Sequence, residues 1–203
     1  MCITGILLAA GQSRRFGSDK LCQPLRAGMP VSVIAARQLQ QTTDTTLVVV
    51  RPQATHLITL LAQENLTIIN CPQADQGMGA SIACGIAASR DAQAWVIALA
   101  DMPFIQISTM QKLVTLLRQG KGIVVPQYRG KRGHPVGFNQ RFQSALAQLN
   151  GEAGAQRLLQ QYAEQVTLFA CEDAGIHQDI DRLEDLTKEQ FSLGGIYYEH
   201  DNS

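Results

Sequence analysis

Ile3-Thr4-Gly5-Ile6-Leu7-Leu8-Ala9-Ala10-Gly11-Gln12-Ser13-Arg14-Arg15-Phe16-Gly17-Ser18-Asp19-Lys20-Leu21 is the stretch on which the reading of this chain turns. Residues 3–9 form a short apolar run of the kind that makes a strand buried on both faces. The rest is a loop in which small residues at 9 to 11 let the backbone approach a ligand closely, so that its N–H groups can donate to anionic oxygens. Two arginines and a lysine follow in the same loop. In an α/β sheet that loop lies at the carboxyl end of a strand, where ligands bind, and a triphosphate is its natural guest. The loop is neither a dinucleotide fingerprint, which needs three glycines, nor a P-loop, which ends in Gly-Lys-Ser/Thr. Taken alone, it also fits a glycine turn with two solvated arginines.

Working outward, apolar runs recur at 45–50, 66–69, 95–99, 123–126 and 166–169, and they read as further buried strands. Between them, residues 31–41, 53–62, 80–89 and 108–118 place apolar side chains three and four apart, which predicts crossover helices with one core-facing stripe each. Parallel strands require such crossovers. The predicted fold class is therefore α/β: a three-layer, Rossmann-like arrangement with a mostly parallel sheet. From Arg129 onward the pattern loosens into a glycine-rich turn, a helix over 153–163, an isolated strand and a last helix over 183–191. We expect one domain over residues 1–203: a nucleotide-binding part at about 1–125, an acceptor-side elaboration at about 126–193, and a tail at 194–203 outside the packed body.

Composition narrows the partners. The 203 residues are 45% hydrophobic, and 17 Lys+Arg balance 17 Asp+Glu, so the broad positive footprint of a nucleic-acid binder is missing. Aromatics at 5% make stacking platforms for single strands improbable. Five scattered cysteines with no Cys-x-x-Cys pair suit a reducing compartment. The nine apolar residues near the start lack a basic region before them and a cleavage site after them, so neither a leader nor a membrane span is expected, and the expected location is cytoplasmic.

Leu8-Ala9-Ala10-Gly11-x-Ser13-x-Arg15-x-Gly17-x-x-Lys20 is similar to the signature of nucleotidyltransferases that join a sugar, polyol or pterin phosphate to a nucleoside monophosphate. Together with Pro24-Leu25, Gly28, Pro30-Val31, Gly77-Met78-Gly79-Ala80-Ser81, Leu99-Ala100-Asp101-Met102-Pro103, Gly133-His134-Pro135-Val136 and Asp179-Ile180-Asp181, it resembles the molybdenum cofactor cytidylyltransferases of the MobA-like NTP transferase family. The motifs run in order along nearly the whole chain.

The resemblance implies transfer of CMP from CTP to the terminal phosphate of molybdenum-molybdopterin. It implies Arg15 and Lys20 as the catalytic phosphate-binding pair, with Arg14, Leu8, Ala9, Ala10, Gly11, Cys71, Gly77, Gly79 and Ser81 on the nucleotide side. It also implies Mg²⁺, or Mn²⁺, at Asp101, and an apo molybdenum hydroxylase as recipient of the product. Asp101 ends a buried strand, and Mg²⁺ favours one or two carboxylates plus phosphate oxygens; the alternative is a helix cap ahead of Pro103. Asp179 and Asp181 alternate on one side of an extended segment, Asp181 being the second expected metal residue, although Asp181 with Glu184 also outlines a capping box. Arg182-Leu183 stands where the family commonly has Thr-Pro. Cys71 and Cys84 read as packing residues rather than nucleophiles.

On the acceptor side, the basic loop 130–138 contributes Arg132, Gly133 and His134, with His134 as a hydrogen-bond donor. His56, His177 and His200 carry no assigned role. Ala10 stands where the guanylyltransferase branch has glycine, which favours CTP over GTP. Two other readings stay open: a guanylyl- or other NTP transferase acting on a different phosphorylated acceptor, and a non-catalytic carrier of the pterin cofactor for a molybdenum hydroxylase.

Overall fold

The computed structural model describes residues 1–11, 20–25, 28–181 and 185. Strands β1 (Ile3–Leu8), β2 (Thr45–Val50), β3 (Thr67–Asn70) and β4 (Ala94–Leu99) alternate with helices α1 (Val31–Gln40), α2 (Thr55–Ala62) and α3 (Met78–Ala88), and α4 (Ile107–Arg118) leads to β5 (Ile123–Tyr128). The remaining elements are β6 (Lys131–Arg132), β7 (Val136–Asn139), α5 (Gln143–Ala147), α6 (Gln156–Gln161) and β8 (Val166–Ala170). The sheet runs β3-β2-β1-β4-β7-β5, with β6 extending the tip of β5 and β8 pairing with its length. The contacts β1–β2, β1–β4, β2–β3 and β5–β8 are parallel, while those of β7 with β4 and β5 and of β6 with β5 are antiparallel. The expected α/β class with a mostly parallel sheet is what the chain adopts.

Successive residues of a strand point to opposite faces, and β1 shows how this divides the core. All six of its residues are buried. Ile3 and Leu7 face a layer built from α1, α2 and α4, where they join Leu39, Leu61 and Leu113. Ile6 and Leu8 face the layer of α3, α5 and α6, where they join Ile82, Ile86, Trp95 and Leu146. Two glycines allow these layers to close: a Cβ on Gly5 would stand 2.7 Å from the Leu39 side chain, and one on Gly85 would stand 2.8 Å from that of Ile6.

The later part departs from expectation. The helix expected over 153–163 is reduced to α6, because Gly151 and Gly154 take φ of 70° and 52° and hold the preceding residues in turns. The strand over 166–169 is not isolated but lies parallel to β5 through five residue pairs, starting at Ile123 with Val166. Strand β7 and helix α5 escaped the pattern reading altogether. The last expected helix and the tail lie outside the described residues, apart from Asp185. No described helix is long and apolar enough to cross a membrane.

Trp95 in β4 has no exposed surface, and its indole Nε1 donates to Ser89 Oγ at 3.0 Å. Truncation leaves a cavity beneath α3 and α5. Trp95→Ala is expected to cost about 3–5 kcal/mol, read as a lowered urea midpoint at an unchanged slope.

Candidate functional site

The carboxyl ends of β1 and β4 lie side by side, with Leu8 paired to Leu99. The ladder continues one step further, as Ala100 N donates to Leu8 O at 3.0 Å and Ala9 N to Val49 O at 2.9 Å. The loop leaving β1 and the one leaving β4 therefore open on the same cleft. Lys20, at the start of the turn Lys20–Cys22, reaches across it. Its Nζ donates to Asp101 Oδ2 at 2.9 Å and to Asp181 Oδ1 at 3.1 Å. The Lys20 side chain is 14% exposed, against 23% for Asp101 and 55% for Asp181.

Asp101, Asp179 and Asp181 each bring a carboxylate oxygen within 4.8 Å of the others. They are held in place from the backbone, because Ile180 N donates to Asp101 O at 2.9 Å and the Ile180 side chain is buried against Val31. Burial draws the Lys20 ammonium down, but the charges and hydrogen bonds of Asp101 and Asp181 outweigh it and hold the group above the usual lysine value. Asp179 is pushed up by burial and then by the neighbouring Asp181 charge, with Lys20 opposing. Asp181 N receives its partner from Asp185, whose Oδ2 accepts at 3.1 Å; Glu184, the residue expected in a capping box, lies outside the described residues.

The cleft beside this cluster has a volume of about 360 Å³. Leu8, Ala10, Gly11, Lys20, Gly77, Ser81 and Asp101, all singled out in the sequence, line it. Gly77 and Gly79 have an additional reason to be glycine. Gly77 has φ of 112°, and a Cβ there would run into the Gly151 backbone; on Gly79 it would lie 2.5 Å from Asn150 O. Gly79 N also donates to Gly151 O at 2.8 Å. These contacts bring the loop 150–152 onto the cleft, where Glu152 and Asp75 add two carboxylates that sequence reading missed. No local motif announces Glu152, since only the long-range packing of Gly79 puts it there.

Cys71, expected on the nucleotide side, turns its side chain away from the cleft. It has no exposed surface and packs in the core under α3, with Sγ 3.8 Å from Ala80 O. Burial, and then the neighbouring Cys71, push the Cys84 thiol up to about 11, which suits packing rather than nucleophilic chemistry. Ala9 is buried at the loop's root. Arg14 and Arg15 lie outside the described residues.

On the other side of the cluster, Gly133 and His134 pack against the turn Ala174–His177. His134 N donates to Ile176 O at 3.0 Å, and a Cβ on Gly133 would stand 2.5 Å from that same oxygen. Burial pulls the His134 imidazole below the usual histidine value; Asp101 opposes this and the nearby His177 reinforces it. Its Nδ1 is buried with no hydrogen-bond partner among the described residues. Arg132 and Lys131 are exposed on β6.

Residues 5–166 match the family described as the MobA-like NTP transferase domain. The purine catabolism protein PucB of Bacillus subtilis (strain 168) is 31% identical, over 90% of this chain and 93% of PucB. Nicotine blue oxidoreductase of Paenarthrobacter nicotinovorans is 29% identical, over 91% of this chain and 95% of its own. A protein of Opitutus terrae named "Probable molybdenum cofactor guanylyltransferase" is 31% identical over 77% of this chain and 72% of its own. Among solved structures, Rv0371c of Mycobacterium tuberculosis H37Rv has a TM-score of 0.79 at 25% identity, covering 92% of this chain and 95% of that one. The complex of Rv0371c with manganese has a TM-score of 0.76 at 23% identity, covering 92% and 97%, and shares the fold. With the matched region running from β1 into β8 and enclosing both the Lys20 loop and Asp101, this chain belongs to the MobA-like NTP transferase family.

Proposed function

We propose that the protein is a molybdenum cofactor cytidylyltransferase, transferring CMP from CTP to the terminal phosphate of molybdenum-molybdopterin with release of pyrophosphate. The observation that carries this reading is Lys20, held between Asp101 and Asp181 at the edge of a small-residue cleft. Family membership alone would not suffice, since one relative is named an oxidoreductase, and chemistry has to be argued from the site. A carrier of the finished cofactor would have no use for a lysine and carboxylates converging at a nucleotide-sized cleft.

The acceptor's phosphate oxygen attacks the α-phosphorus of CTP; the new P–O bond forms as the bond to pyrophosphate breaks. A phosphomonoester has a second pKa of about 6 and is largely ionised at neutral pH, so no side chain has to remove a proton. The protein's task is to bring two anions together and stabilise the leaving group, where positioning and electrostatics dominate. Lys20 supplies a charge at the phosphates, and Arg15, with Arg14, belongs to the same loop. Gly11 and Ala10 let the backbone approach the nucleotide, with Gly77 and Ser81 on the facing wall. Gly133 and His134, with Arg132 on the neighbouring strand, form the acceptor side. The buried, neutral His134 offers hydrogen bonding without charge.

The donor set fits a hard divalent cation. Three carboxylates within 4.8 Å face one ammonium, and oxygen donors of this kind suit Mg²⁺ or Mn²⁺. Asp101 and Asp181 would hold the ion, with Asp179 beside them; when bound, it would neutralise the triphosphate and orient pyrophosphate for departure. Rv0371c, whose structure with manganese shares this fold, supports the same assignment. Residues 1–203 act as one domain in the cytoplasm, passing product to an apo molybdenum hydroxylase. The choice of CTP rests on Ala10, which lines the cleft where the guanylyltransferase branch has glycine, a Cβ leaving less room for a purine.

Lys20→Ala and Asp101→Asn are each expected to lower kcat for pyrophosphate release by about 10²–10³-fold, the range for losing one preorganised electrostatic contact, with the urea midpoint retained. A near-wild-type rate in either removes the assignment. With Mg²⁺ present, CTP is expected to raise the melting temperature more than GTP or ATP, since a ligand at about 100 times its Kd adds about 2.7 kcal/mol to the native state. An equal or larger rise with GTP reassigns the base.

A further inference from the structure

The turn Ala174–His177 ends in a histidine that no sequence motif explains. His177 Nε2 lies 3.2 Å from the Arg132 carbonyl oxygen. A carbonyl only accepts, so Nε2 is the donor in this contact, and in that tautomer Nδ1 is left as an acceptor. The His177 ring sits 6.2 Å from that of Tyr128, centroid to centroid, at 52°, and the Arg129 guanidinium lies 5.1 Å from the Tyr128 centroid. His177 is exposed and Tyr128 half-buried, packed against the core, and together they form an aromatic ledge bordered by positive charge.

The ledge is tied directly to the carboxylates. One residue before His177, Ile176 O accepts from His134 N; three residues after it, Ile180 N donates to Asp101 O. A chain extends no more than about 3.6 Å per residue, so His177 and Asp181 are at most about 14 Å apart. That span suits a fused bicyclic ring with a short phosphate-bearing arm.

We propose that His177, with Tyr128 beside it, binds the flat, N–H-bearing heteroaromatic body of a phosphomonoester acceptor whose phosphate reaches Lys20 and Asp181. The inference rests on the phosphomonoester acceptor of the proposed function and names the part of the site that recognises its ring. The exposed His177 ring offers a stacking face, with the Tyr128 ring beside it at 52° as an edge, and His177 Nδ1 accepts from a ring N–H or amino group. A sugar or polyol phosphate presents no flat face and gains nothing from the ledge.

The test uses the full chain without nucleotide, following the His177 imidazole resonances by NMR during titration with 6-hydroxymethylpterin, which has no phosphate, and with glycerol 3-phosphate, which has no ring. The pterin is expected to shift the His177 resonances and glycerol 3-phosphate to leave them in place. Pterin affinity is expected to fall at least tenfold in His177→Ala and in His177→Gln, the latter keeping an N–H for the Arg132 carbonyl while removing the ring. Unmoved His177 resonances, wild-type affinity in either variant, or an equal response to glycerol 3-phosphate overturns the proposal. Because no nucleotide is present, these results leave cytidylyl transfer untouched, whereas absent CMP transfer with intact pterin binding removes the latter reading alone.

Discussion

The parallel pairing of β1 with β4 is the constraint on which the rest of the structure depends. The two strands match over six residue pairs from Ile3 with Ala94 to Leu8 with Leu99, so both chains leave the sheet at the same level and in the same direction. The Gly11 loop and Asp101 are consequences of that register, since each begins within a few residues of its strand's last pair. A slip by one residue would turn Ile3 and Leu7 to the face now held by Ile6 and Leu8, breaking both halves of the core at once. Burial on both faces is therefore what fixes the spacing between the nucleotide loop and the carboxylate.

This explains which parts were legible in the sequence. The strands of the parallel core are local apolar runs, and their crossover helices carry local stripes, so the α/β class and the position of Asp101 could be read from short windows. Strand β7 could not be read, because Val136-Gly137-Phe138-Asn139 is short and its glycine is explained only by helix α4: a Cβ on Gly137 would stand 2.7 Å from Leu113 Cδ2. Gly77 and Gly79 have a packing role that no short window shows, since they admit the loop 150–152 that brings Glu152 to the cleft. Cys71 occupies a loop that faces the cleft, yet its side chain turns into the core. Sequence position assigns a residue to a loop; the packing decides which way it points.

The balance of 17 basic and 17 acidic residues is kept locally as well as globally only in part. Among the described residues of the cluster, one lysine faces three carboxylates, a surplus of negative charge that further cations would relieve. Lys20 is mostly buried, so its ion pairs are better shielded from solvent than the exposed pair of Arg118 with Asp44. On the proposed reading, the same lysine has a second anionic partner in the triphosphate, so its position between the carboxylates and the cleft serves both the free and the loaded site.

What sets the acceptor side relative to this cluster is a carboxylate that belongs to neither. Asp173 is 1% exposed, and it accepts from Gln106 N at 2.9 Å, Thr109 Oγ1 at 2.7 Å and Gly175 N at 2.9 Å. It thus caps the start of α4 while anchoring the turn that follows it, and Gly175 is admitted only because a Cβ would strike the Phe104 carbonyl. From this anchor the chain passes His134 at Ile176, presents His177, and reaches Asp101 at Ile180. Helix α4 packs on the same sheet that carries β4, so Asp101 and the His177 ledge are referred to one rigid frame. A buried polar group with all its bonds made within the protein is costly to displace, and on the proposed reading that is the property needed in a residue that fixes the distance between two substrates.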